Sequence, residues 1–294
     1  MSRRGMALSV FAILVLGACS QASTQEAEAI DSPAVARAKA RSKELGEVAM
    51  RSAQIGGGEE VSSTTFPAFG FMAALGSSST ANCGGALIDE DWVITAAHCA
   101  RNEWVVLGRR DLGTSSGELY EITDDNRFCH KPRNLTKLEN DIALIRLDRT
   151  PVSGSVAAPV SLVAGASWET SSPLPPITLA GWGQGSNSSE LHQVQVGLHD
   201  RTQCAQAFNG SPIQILSSTF CTVLSTGGAL HGDSGGPVLI DQSGMYLVGI
   251  MTAVGAGNAP VPGEPNRHVR ITDYLGWISR VMNGTAAPAE FDDC

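Results

Sequence analysis

Residues 231–237 read His-Gly-Asp-Ser-Gly-Gly-Pro, and this run constrains the fold of the 294-residue chain more than any other segment. The glycines around Ser234 allow a tight bend in which the backbone N–H groups of Gly232 and Ser234 converge on one point. Two such groups can hold the negative oxygen of a tetrahedral intermediate. Asp233 would be enclosed in the same bend, where a carboxylate needs a cationic partner. The run predicts a nucleophilic serine, whereas a bare Gly-x-Ser-x-Gly match would indicate an ordinary turn.

Two segments upstream carry the groups that activate a serine, whose hydroxyl is a poor nucleophile until a base takes its proton. Trp92–Ile94 has the apolar character of a buried strand, and small residues then lead to His98. Asp141 stands at the start of another apolar strand. Taken singly, such a histidine is more often an ordinary residue and such an aspartate more often a cap. In this order, the aspartate can accept the imidazole N–H and set the tautomer that leaves the other ring nitrogen basic.

With these segments the chain resembles the chymotrypsin/trypsin family of serine proteases, over roughly residues 55–282. The motifs that carry the resemblance are Ile-Gly-Gly-Gly-Glu-Glu at 55–60, Cys-Gly-Gly-Ala-Leu-Ile at 83–88, Thr-Ala-Ala-His-Cys at 95–99, Asp-Ile-Ala-Leu at 141–144, Gly-Trp-Gly at 181–183, the Ser234 run and Tyr-Leu-Gly-Trp-Ile at 274–278. The resemblance implies Ser234 as nucleophile, His98 as general base and then acid, and Asp141 as its orienter. It implies an oxyanion hole at Gly232 and Ser234. Thr252 stands where the family usually has a serine that supports the aspartate, and we expect the same hydrogen bond.

The implied fold class is all-β, with two six-stranded antiparallel β-barrels and the active site in the cleft between them. We expect barrel 1 at about residues 55–165, barrel 2 at about 166–271 and a C-terminal helix at about 272–282, within a protease domain of residues 55–294. The composition agrees, since 32 glycines, 14 prolines and only 17% charged residues suit a loop-rich β protein with a large core. Short apolar runs separated by turn residues recur, and long helical periodicity is nearly absent.

The N-terminus indicates export. Arg3 and Arg4 precede an apolar run, Met6–Leu16, that is too short to span a bilayer. The following Gly-Ala-Cys resembles the end of a bacterial lipoprotein signal, so that residues 1–18 would be removed and Cys19 would carry the lipid. The protein would then be held at the bacterial cell envelope, in the periplasm or on the surface.

An ordinary secretory signal cleaved near Ala18 or Ala22 is the alternative, and the protein would then be secreted. In either case residues 19–54 are interpreted as a tether and propeptide. The stretch after Cys19 lacks large aromatic residues and could not build a core.

The cysteines suit an oxidising compartment, because setting Cys19 aside leaves six of the seven. The expected bridges are Cys83–Cys99, Cys204–Cys221 and Cys129–Cys294. The first two are implied by the family resemblance. The third rests on parity and on the family's C-terminal helix, which lies against the first barrel.

Activation is where the chain departs from the common zymogens. In the family, cleavage frees an ammonium group that pairs with the aspartate beside the nucleophile, which here would be Ile55 with Asp233. Gln54 precedes Ile55 where those zymogens carry Arg or Lys, and Arg51 lies three positions too early. We therefore expect a zymogen that needs a different activating protease, trimming after a cut at Arg51, or a different start.

The substrate pocket also departs from the trypsin pattern. Gly228 occupies the place, six residues before the nucleophile, of the aspartate that pairs with substrate Lys or Arg, and Leu230 replaces a cysteine that usually forms a bridge beside the pocket. Val254 and Asn266 map to the pocket wall, at positions where wide-pocket enzymes have glycines, and Thr252 is assigned to the same pocket. We predict a narrow pocket for small or medium apolar side chains, and not for Lys or Arg.

No metal or other cofactor is expected. Arg109 falls where the family's calcium loop has an acidic ligand, although Glu118 and Glu121 follow. The formal net charge of −9 argues against nucleic acid as a partner.

The predicted function is that of a secreted or membrane-anchored serine endopeptidase, which cleaves protein or peptide substrates through an acyl-enzyme. The alternative is a catalytically silent surface lipoprotein of the same fold that acts as a binding module. Such a homologue would normally have lost His98, Asp141 or Ser234, and all three are present.

Overall fold

The computed structural model describes residues 55, 58–77, 80–152, 158–183, 189–224, 228–253, 263–292 and 294. The strands in these ranges are β1 (Glu59–Glu60), β2 (Met72–Ser77), β3 (Thr80–Asp89), β4 (Trp92–Thr95), β5 (Trp104–Leu107), β6 (Glu118–Glu121), β7 (Arg127–His130), β8 (Ala143–Arg146), β9 (Ser161–Leu162), β10 (Ile177–Gly181), β11 (His192–His199), β12 (Thr219–Val223), β13 (Pro237–Asp241), β14 (Met245–Ala253), β15 (Pro265–Arg270) and β16 (Phe291–Asp292). The α-helices are α1 (Arg201–Ala207) and α2 (Leu275–Met282), and short 3-10 helices cover Phe66–Phe69, Ala97–Cys99, Asp124–Asn126, Ala166–Thr170 and Ile271–Asp273.

The first sheet is antiparallel and follows the order β16-β7-β8-β4-β3-β2-β5-β6. The apolar runs of β4 and β5 are buried along their whole length. Strands rich in aromatic and β-branched residues suit such positions, where both faces pack against other side chains. Leu75, Ile94 and Leu144 have no exposed surface in the resulting core.

In the second sheet, six strands form a closed ring in the order β11-β10-β13-β14-β15-β12, and β12 pairs back with β11. Val238 and Val248 have no exposed surface inside it. The predicted class, two antiparallel β-barrels with a C-terminal helix, is confirmed. The second ring has the predicted six strands, whereas the first sheet is divided into eight segments.

The two ends of the domain cross between the sheets. β1 pairs with β11 of the second sheet, and β16 pairs with β7 of the first. β9, at residues 161–162, already pairs with β14. The second sheet therefore includes residues 59–60 from the first half of the chain. Residues 161–162 also belong to it, although they precede the expected boundary at about residue 165. Strands of two residues carry no periodicity, so their partners are decided by tertiary contact and not by pattern.

Three disulfides form between the cysteine pairs that were predicted from the sequence, Cys83–Cys99, Cys129–Cys294 and Cys204–Cys221. The second spans 165 residues and attaches the chain end to β7, beside the β16–β7 pairing.

The predicted C-terminal helix is present and begins at Leu275, three residues after the expected start near residue 272. A 3-10 turn at Ile271–Asp273 leads into α2, which buries Trp277, Ile278 and Val281 and ends at Met282. Within the described ranges, no helix combines the length and the apolar character that crossing a membrane requires.

Candidate active site

His98 lies on the 3-10 turn Ala97–Cys99 that follows β4. The turn is anchored because Ala97 and Cys99 are buried and Cys99 is bonded to Cys83 on β3. The His98 side chain remains 30% exposed. The ring is thus fixed at its base and partly open to solvent.

Asp141 immediately precedes β8 and has no exposed surface. Its Oδ1 accepts the backbone N–H of His98 at 3.0 Å, and its Oδ2 lies 2.7 Å from His98 Nδ1. A carboxylate can only accept here, so Nδ1 carries the proton and Nε2 is left as the basic nitrogen. Burial alone would lower the pKa of His98, but the charge and hydrogen bond of Asp141 outweigh burial and raise this pKa above its ordinary value. The predicted base and orienter are therefore in contact.

Ser234 lies on a turn that is held against the first sheet. Its carbonyl oxygen accepts the N–H of Gly84 on β3 at 2.7 Å and lies 3.4 Å from the sulfur of Cys99, the residue after His98. Within the described residues, no hydrogen bond joins the Ser234 hydroxyl to His98, whose polar contacts are those with Asp141. Such bonds are often long or poorly aligned in a free enzyme and tighten when substrate binds.

Gly235 ties the same turn to the second sheet. Its N–H donates to the carbonyl of Met251 on β14 at 2.7 Å. Its φ is +81°, and a Cβ at this position would lie 2.2 Å from Thr95 Oγ1. Only glycine fits, so the turn that carries Ser234 is held between β4 and β14.

The two predicted oxyanion donors are backbone N–H groups of the Ser234 turn. Among the described residues, the N–H groups of Gly232 and Ser234 donate no internal hydrogen bond. Gly232 has a φ of +93°, in the region that favours glycine. Both groups are therefore available to an oxygen of a bound substrate.

Comparison with known proteins places this arrangement in a family. The model of the family described as Trypsin matches residues 55–278. This chain belongs to the trypsin family of serine proteases. It is 32% identical over 228 residues to snake venom serine protease BPA of Bothrops jararaca, covering 73% of this chain and 83% of that protein. It is also 32% identical over 216 residues to beta-fibrinogenase brevinase of Gloydius blomhoffii, covering 69% and 86%.

A solved structure agrees with these relatives. Neuropsin, a serine protease expressed in the limbic system of mouse brain, superposes with a TM-score of 0.65 at 26% identity, covering 77% of this chain and 99% of that one. The trypsin-family chain is a serine endopeptidase with the chymotrypsin-like fold.

Asp233 of this trypsin-family chain is fully buried, with no cationic partner among the described residues. Its Oδ1 accepts the N–H of Gly183 at 2.7 Å, and its Oδ2 accepts the N–H of Leu230 at 2.8 Å. Burial raises the pKa of Asp233 to about 7, and the two N–H donors offset this only in part.

Ile55, the residue expected to supply the partner amine, is 1% exposed and belongs to the core of the second sheet. The chain is continuous from Gln54, so the nitrogen of Ile55 is an amide and carries no charge. Within the described residues it forms no hydrogen bond with Asp233. The expected ion pair is not formed in the uncut chain.

Thr252 differs from the expectation for its position. Its hydroxyl donates to the carbonyl of Arg267 at 3.3 Å and accepts from Arg267 Nη1 at 2.8 Å. Within the described residues it forms no hydrogen bond with Asp141, so the predicted support of the aspartate by Thr252 is wrong. The physical reason is that a hydroxyl has one proton to donate, and the carbonyl of Arg267 accepts it, while Arg267 Nη1 donates to the hydroxyl oxygen.

Arg267 was missed by the sequence analysis. The guanidinium has no exposed surface, and Asp141 is the first of the charges that attract it. Residues 265–269 of β15 are all buried, so no alternation distinguishes an inward position from an outward one. No pattern in the sequence could have found this residue.

Asn266 occupies the space beside Gly228. Its Oδ1 accepts the N–H of Ala229 at 2.9 Å, and a Cβ on Gly228 would lie 2.4 Å from that oxygen. Both Asn266 and Ala229 are buried. Val254, the third position assigned to the pocket wall, lies outside the described residues.

Arg109 is buried in the loop between β5 and β6, and burial lowers its pKa despite the attraction of Asp111. Among the described residues its Nη1 has no hydrogen-bond partner. A positive charge inside this loop opposes the binding of a cation there. Cys19 and the rest of residues 1–54 lie outside the described residues.

Proposed function

We propose that this trypsin-family enzyme cleaves peptide bonds through an acyl-enzyme on Ser234, with His98 as general base and then acid and Asp141 as its orienter. The observation that carries the proposal is the 2.7 Å contact between His98 Nδ1 and Asp141 Oδ2. This contact places the proton on Nδ1 and leaves Nε2 to accept the serine proton. The Ser234 carbonyl accepts the N–H of Gly84 and lies close to the sulfur of Cys99, the residue after His98. Both contacts support Ser234 as the residue whose proton Nε2 accepts.

The proposed reaction begins at the Ser234 hydroxyl. Nε2 of His98 takes the hydroxyl proton as Ser234 Oγ bonds to the scissile carbonyl carbon. The carbonyl oxygen becomes negative and is held by the N–H groups of Gly232 and Ser234, which lack an internal acceptor. The bond to the amine breaks as His98 returns the proton to it. Water then attacks the acyl-enzyme by the same route and releases Ser234.

Activation is proposed to depend on the Ile55 amine. A buried carboxylate without a counter-charge is costly, and the raised pKa of Asp233 reflects this cost. Cleavage before Ile55 would create an ammonium group at a residue buried in the core of the second sheet, and Asp233 is hydrogen-bonded to Gly183, just after β10 of that sheet. Breaking a buried ion pair by removing one partner typically costs about 3–5 kcal/mol, which is enough to leave the oxyanion hole unformed in the precursor.

The proposed specificity is for small or medium apolar side chains. Gly228 offers no carboxylate for a substrate Lys or Arg, and the Asn266 amide fills the space into which a larger residue at 228 would extend. Asn266 is itself engaged by the N–H of Ala229, which holds it in place. Both features reduce the room and the charge complementarity for a long basic side chain.

The proposed location is outside the cytoplasm, with a lipid on Cys19. Three disulfides suit an oxidising compartment, and the relatives named above include enzymes of snake venom. Wild-type protein is expected in the detergent phase of a phase-partition assay and Cys19→Ala in the aqueous phase. An unmodified mature N-terminus at Cys19 or Ser23 would establish ordinary secretion instead.

A serine-directed phosphonate tests the chemistry. Protein that starts at Ile55, verified by mass spectrometry, is expected to be labelled once and to lose peptide hydrolysis in parallel. Ser234→Ala is expected to take no label, whereas Ser279→Ala, at an exposed serine of α2, is labelled like wild type. Turnover by purified Ser234→Ala at a large fraction of the wild-type rate would show that the nucleophile is elsewhere.

A further inference from the structure

Arg267 is a large, fully buried charged residue that is attracted by the charge of Asp141. Its side chain has no exposed surface. The guanidinium donates to three neutral acceptors, from Nε to the carbonyl of Gln214 at 3.0 Å, from Nη1 to Thr252 Oγ1 at 2.8 Å and from Nη2 to the carbonyl of Leu138 at 2.7 Å. Within the described residues no carboxylate lies within ion-pair distance of it. Burying a charge without a direct counter-ion costs free energy, so the guanidinium depends on these hydrogen bonds and on more distant charges for its stabilisation.

One of the three hydrogen bonds holds the turn that leads into Asp141. Leu138 and Asn140 both have positive φ, 53° and 51°, which costs free energy for residues other than glycine. The turn keeps this conformation because Arg267 binds the Leu138 carbonyl and the Tyr274 hydroxyl donates to Asn140 Oδ1 at 2.8 Å. Asp141 is the next residue, so both contacts set where its carboxylate lies.

The second property of Arg267 is its charge. Burial lowers the pKa of Arg267 to about 10, so the group stays positive at neutral pH, and the carboxylates that attract it are Asp141 first and then Glu139. Tyr274 is neutral at this pH, because burial raises its pKa. Two other titratable groups pack nearby. His268 is kept neutral because burial, and then Arg267, lower its pKa to about 3. Asp273 acts on the same cluster through Tyr274.

We infer that Arg267 is a positioning residue for catalysis, which holds the strained turn before Asp141 and sets a positive charge near the Asp141–His98 pair. The inference rests on the proposed triad. The positive charge attracts the Asp141 carboxylate and offsets part of the negative potential that Asp141 exerts on the imidazole. His98 is thereby kept neutral, and able to accept the serine proton, to a lower pH than it would be beside an uncompensated carboxylate.

Three variants separate the charge from the hydrogen bonds. Arg267→Met removes both, and Arg267→Lys keeps the charge but cannot reach three acceptors in a planar fork. Arg270→Met is the matched control, because Arg270 lies on the same strand and is largely buried, but pairs with Glu169. The pH profile of kcat/KM is measured on protein that starts at Ile55. The pKa of His98 is also followed by ¹⁵N-histidine NMR in Ser234→Ala protein, with the resonance assigned by His98→Gln.

Arg267→Met is expected to raise the pKa of His98, and with it the acid limb of kcat/KM, by about 0.5 to 1 unit, which is less than a direct charge neighbour produces. Arg267→Lys is expected to leave the acid limb in place while kcat falls about 10- to 100-fold at nearly unchanged KM, because Asp141, and with it the base His98, is misplaced. Arg270→Met should lower the melting temperature without moving the limb. Should Arg267→Met not fold, Arg267→Gln provides the same comparison.

An acid limb and a His98 pKa that do not move in Arg267→Met would overturn the inference and leave Arg267 with a structural role alone. The NMR readout requires no activity. If the pKa of His98 moves as expected in Arg267→Met while protein that keeps Ser234 and starts at Ile55 hydrolyses no peptide, the result would count against the proposed triad and not against the action of Arg267.

Discussion

At the scale of single residues, the site depends on how each group is surrounded. His98 and Asp141 are both titratable, but Asp141 is wholly buried and His98 is partly exposed. The carboxylate more than compensates for the burial of the imidazole, so the pKa of His98 lies above its ordinary value. His98 must be neutral to accept the serine proton, so activity is expected to fall as the pH drops through this raised pKa.

Replacing Asp141 tests this balance. Asp141→Asn is expected to lower turnover about 10⁴-fold, because the amide favours the wrong imidazole tautomer. The acid limb of kcat/KM should move to lower pH, since burial of His98 would no longer be outweighed by a negative charge. Asp148→Asn, at an exposed carboxylate, serves as the control and should change neither quantity. An upward movement of the limb in Asp141→Asn would contradict the assignment of Asp141.

Asn266 is the residue on which the proposed specificity depends. Asn266→Ala removes the amide beside Gly228 and is expected to enlarge the pocket. The ratio of kcat/KM for a substrate with Phe at the cleaved position over one with Ala should rise about 10-fold or more. Activity toward Lys should stay low, because no carboxylate is introduced. Paired peptide substrates measure both ratios, and an unchanged Phe-to-Ala ratio would show that Asn266 does not line the pocket.

At the scale of elements, each terminal strand of the domain pairs with the sheet that the other half of the chain mainly forms. β1 pairs with β11 of the second sheet, and β16 pairs with β7 of the first. β16 pairs with β7 over two residues, and the Cys129–Cys294 bridge holds the pairing. Two residues of ladder cannot hold a chain end alone, because the entropy cost of ordering the backbone is about 1–2 kcal/mol per residue. The disulfide is therefore expected to determine whether β16 stays paired.

Removing this bridge should cost more than removing a local one. In the chain-entropy model, a bridge that spans 165 residues contributes about 5 kcal/mol and one that spans 17 contributes about 3 kcal/mol. Cys129→Ala with Cys294→Ala is compared with Cys204→Ala with Cys221→Ala, both in Ser234→Ala protein to prevent self-digestion. Urea denaturation gives the free energies of unfolding. A smaller loss for the long bridge would mean that the unfolded chain is not constrained as the model assumes.

At the scale of the whole molecule, the uncut chain is folded around a buried carboxyl group, Asp233, that has no cationic partner among the described residues. Asp233 accepts two N–H groups but no cation within the described residues, while Ile55 is already buried in the second sheet. The proposed activation therefore needs only a change of charge at one nitrogen and a local rearrangement. The two barrels need not refold.

The stability of the two forms should diverge with pH. Asp233 has a pKa of about 7 in the folded precursor against an ordinary value of 3.8. Between these values the unfolded chain releases a proton that the folded chain keeps, so the precursor loses stability as the pH rises. The loss amounts to at most about 4 kcal/mol, at 1.36 kcal/mol per unit of pKa. Protein that starts at Ile55 should escape this loss, because an ammonium group would hold Asp233 ionised.

The measurement compares the free energy of unfolding of the two forms from pH 4 to pH 7, with Ser234→Ala in both. The precursor used for the comparison starts at Ser52, because Ser52, Ala53 and Gln54 add no titratable side chain. The difference between the two curves therefore isolates the Ile55–Asp233 pair. The advantage of the processed form is expected to increase across this window. Two parallel curves would show that the Ile55 amine does not reach Asp233.

Much of the site could be predicted from the sequence, because the chemistry depends on short local motifs. Ser234 and its glycines lie in one run, and His98 adjoins a cysteine whose bridge was predicted correctly. The burial of β4 and β5 likewise follows from apolar runs that have few alternatives to a core. Motif order along the chain was enough to assign the fold class.

Only the tertiary structure decided which groups meet across the two sheets. Thr252 bonds to Arg267 and not to Asp141, and residues 265–269 are all buried, so no pattern marks the arginine that lies inside. The partners of the two-residue strands β1 and β16 were decided in the same way. Local sequence determines backbone preference and burial, whereas a hydrogen bond between residues far apart in the chain depends on distances that exist only after the barrels have closed.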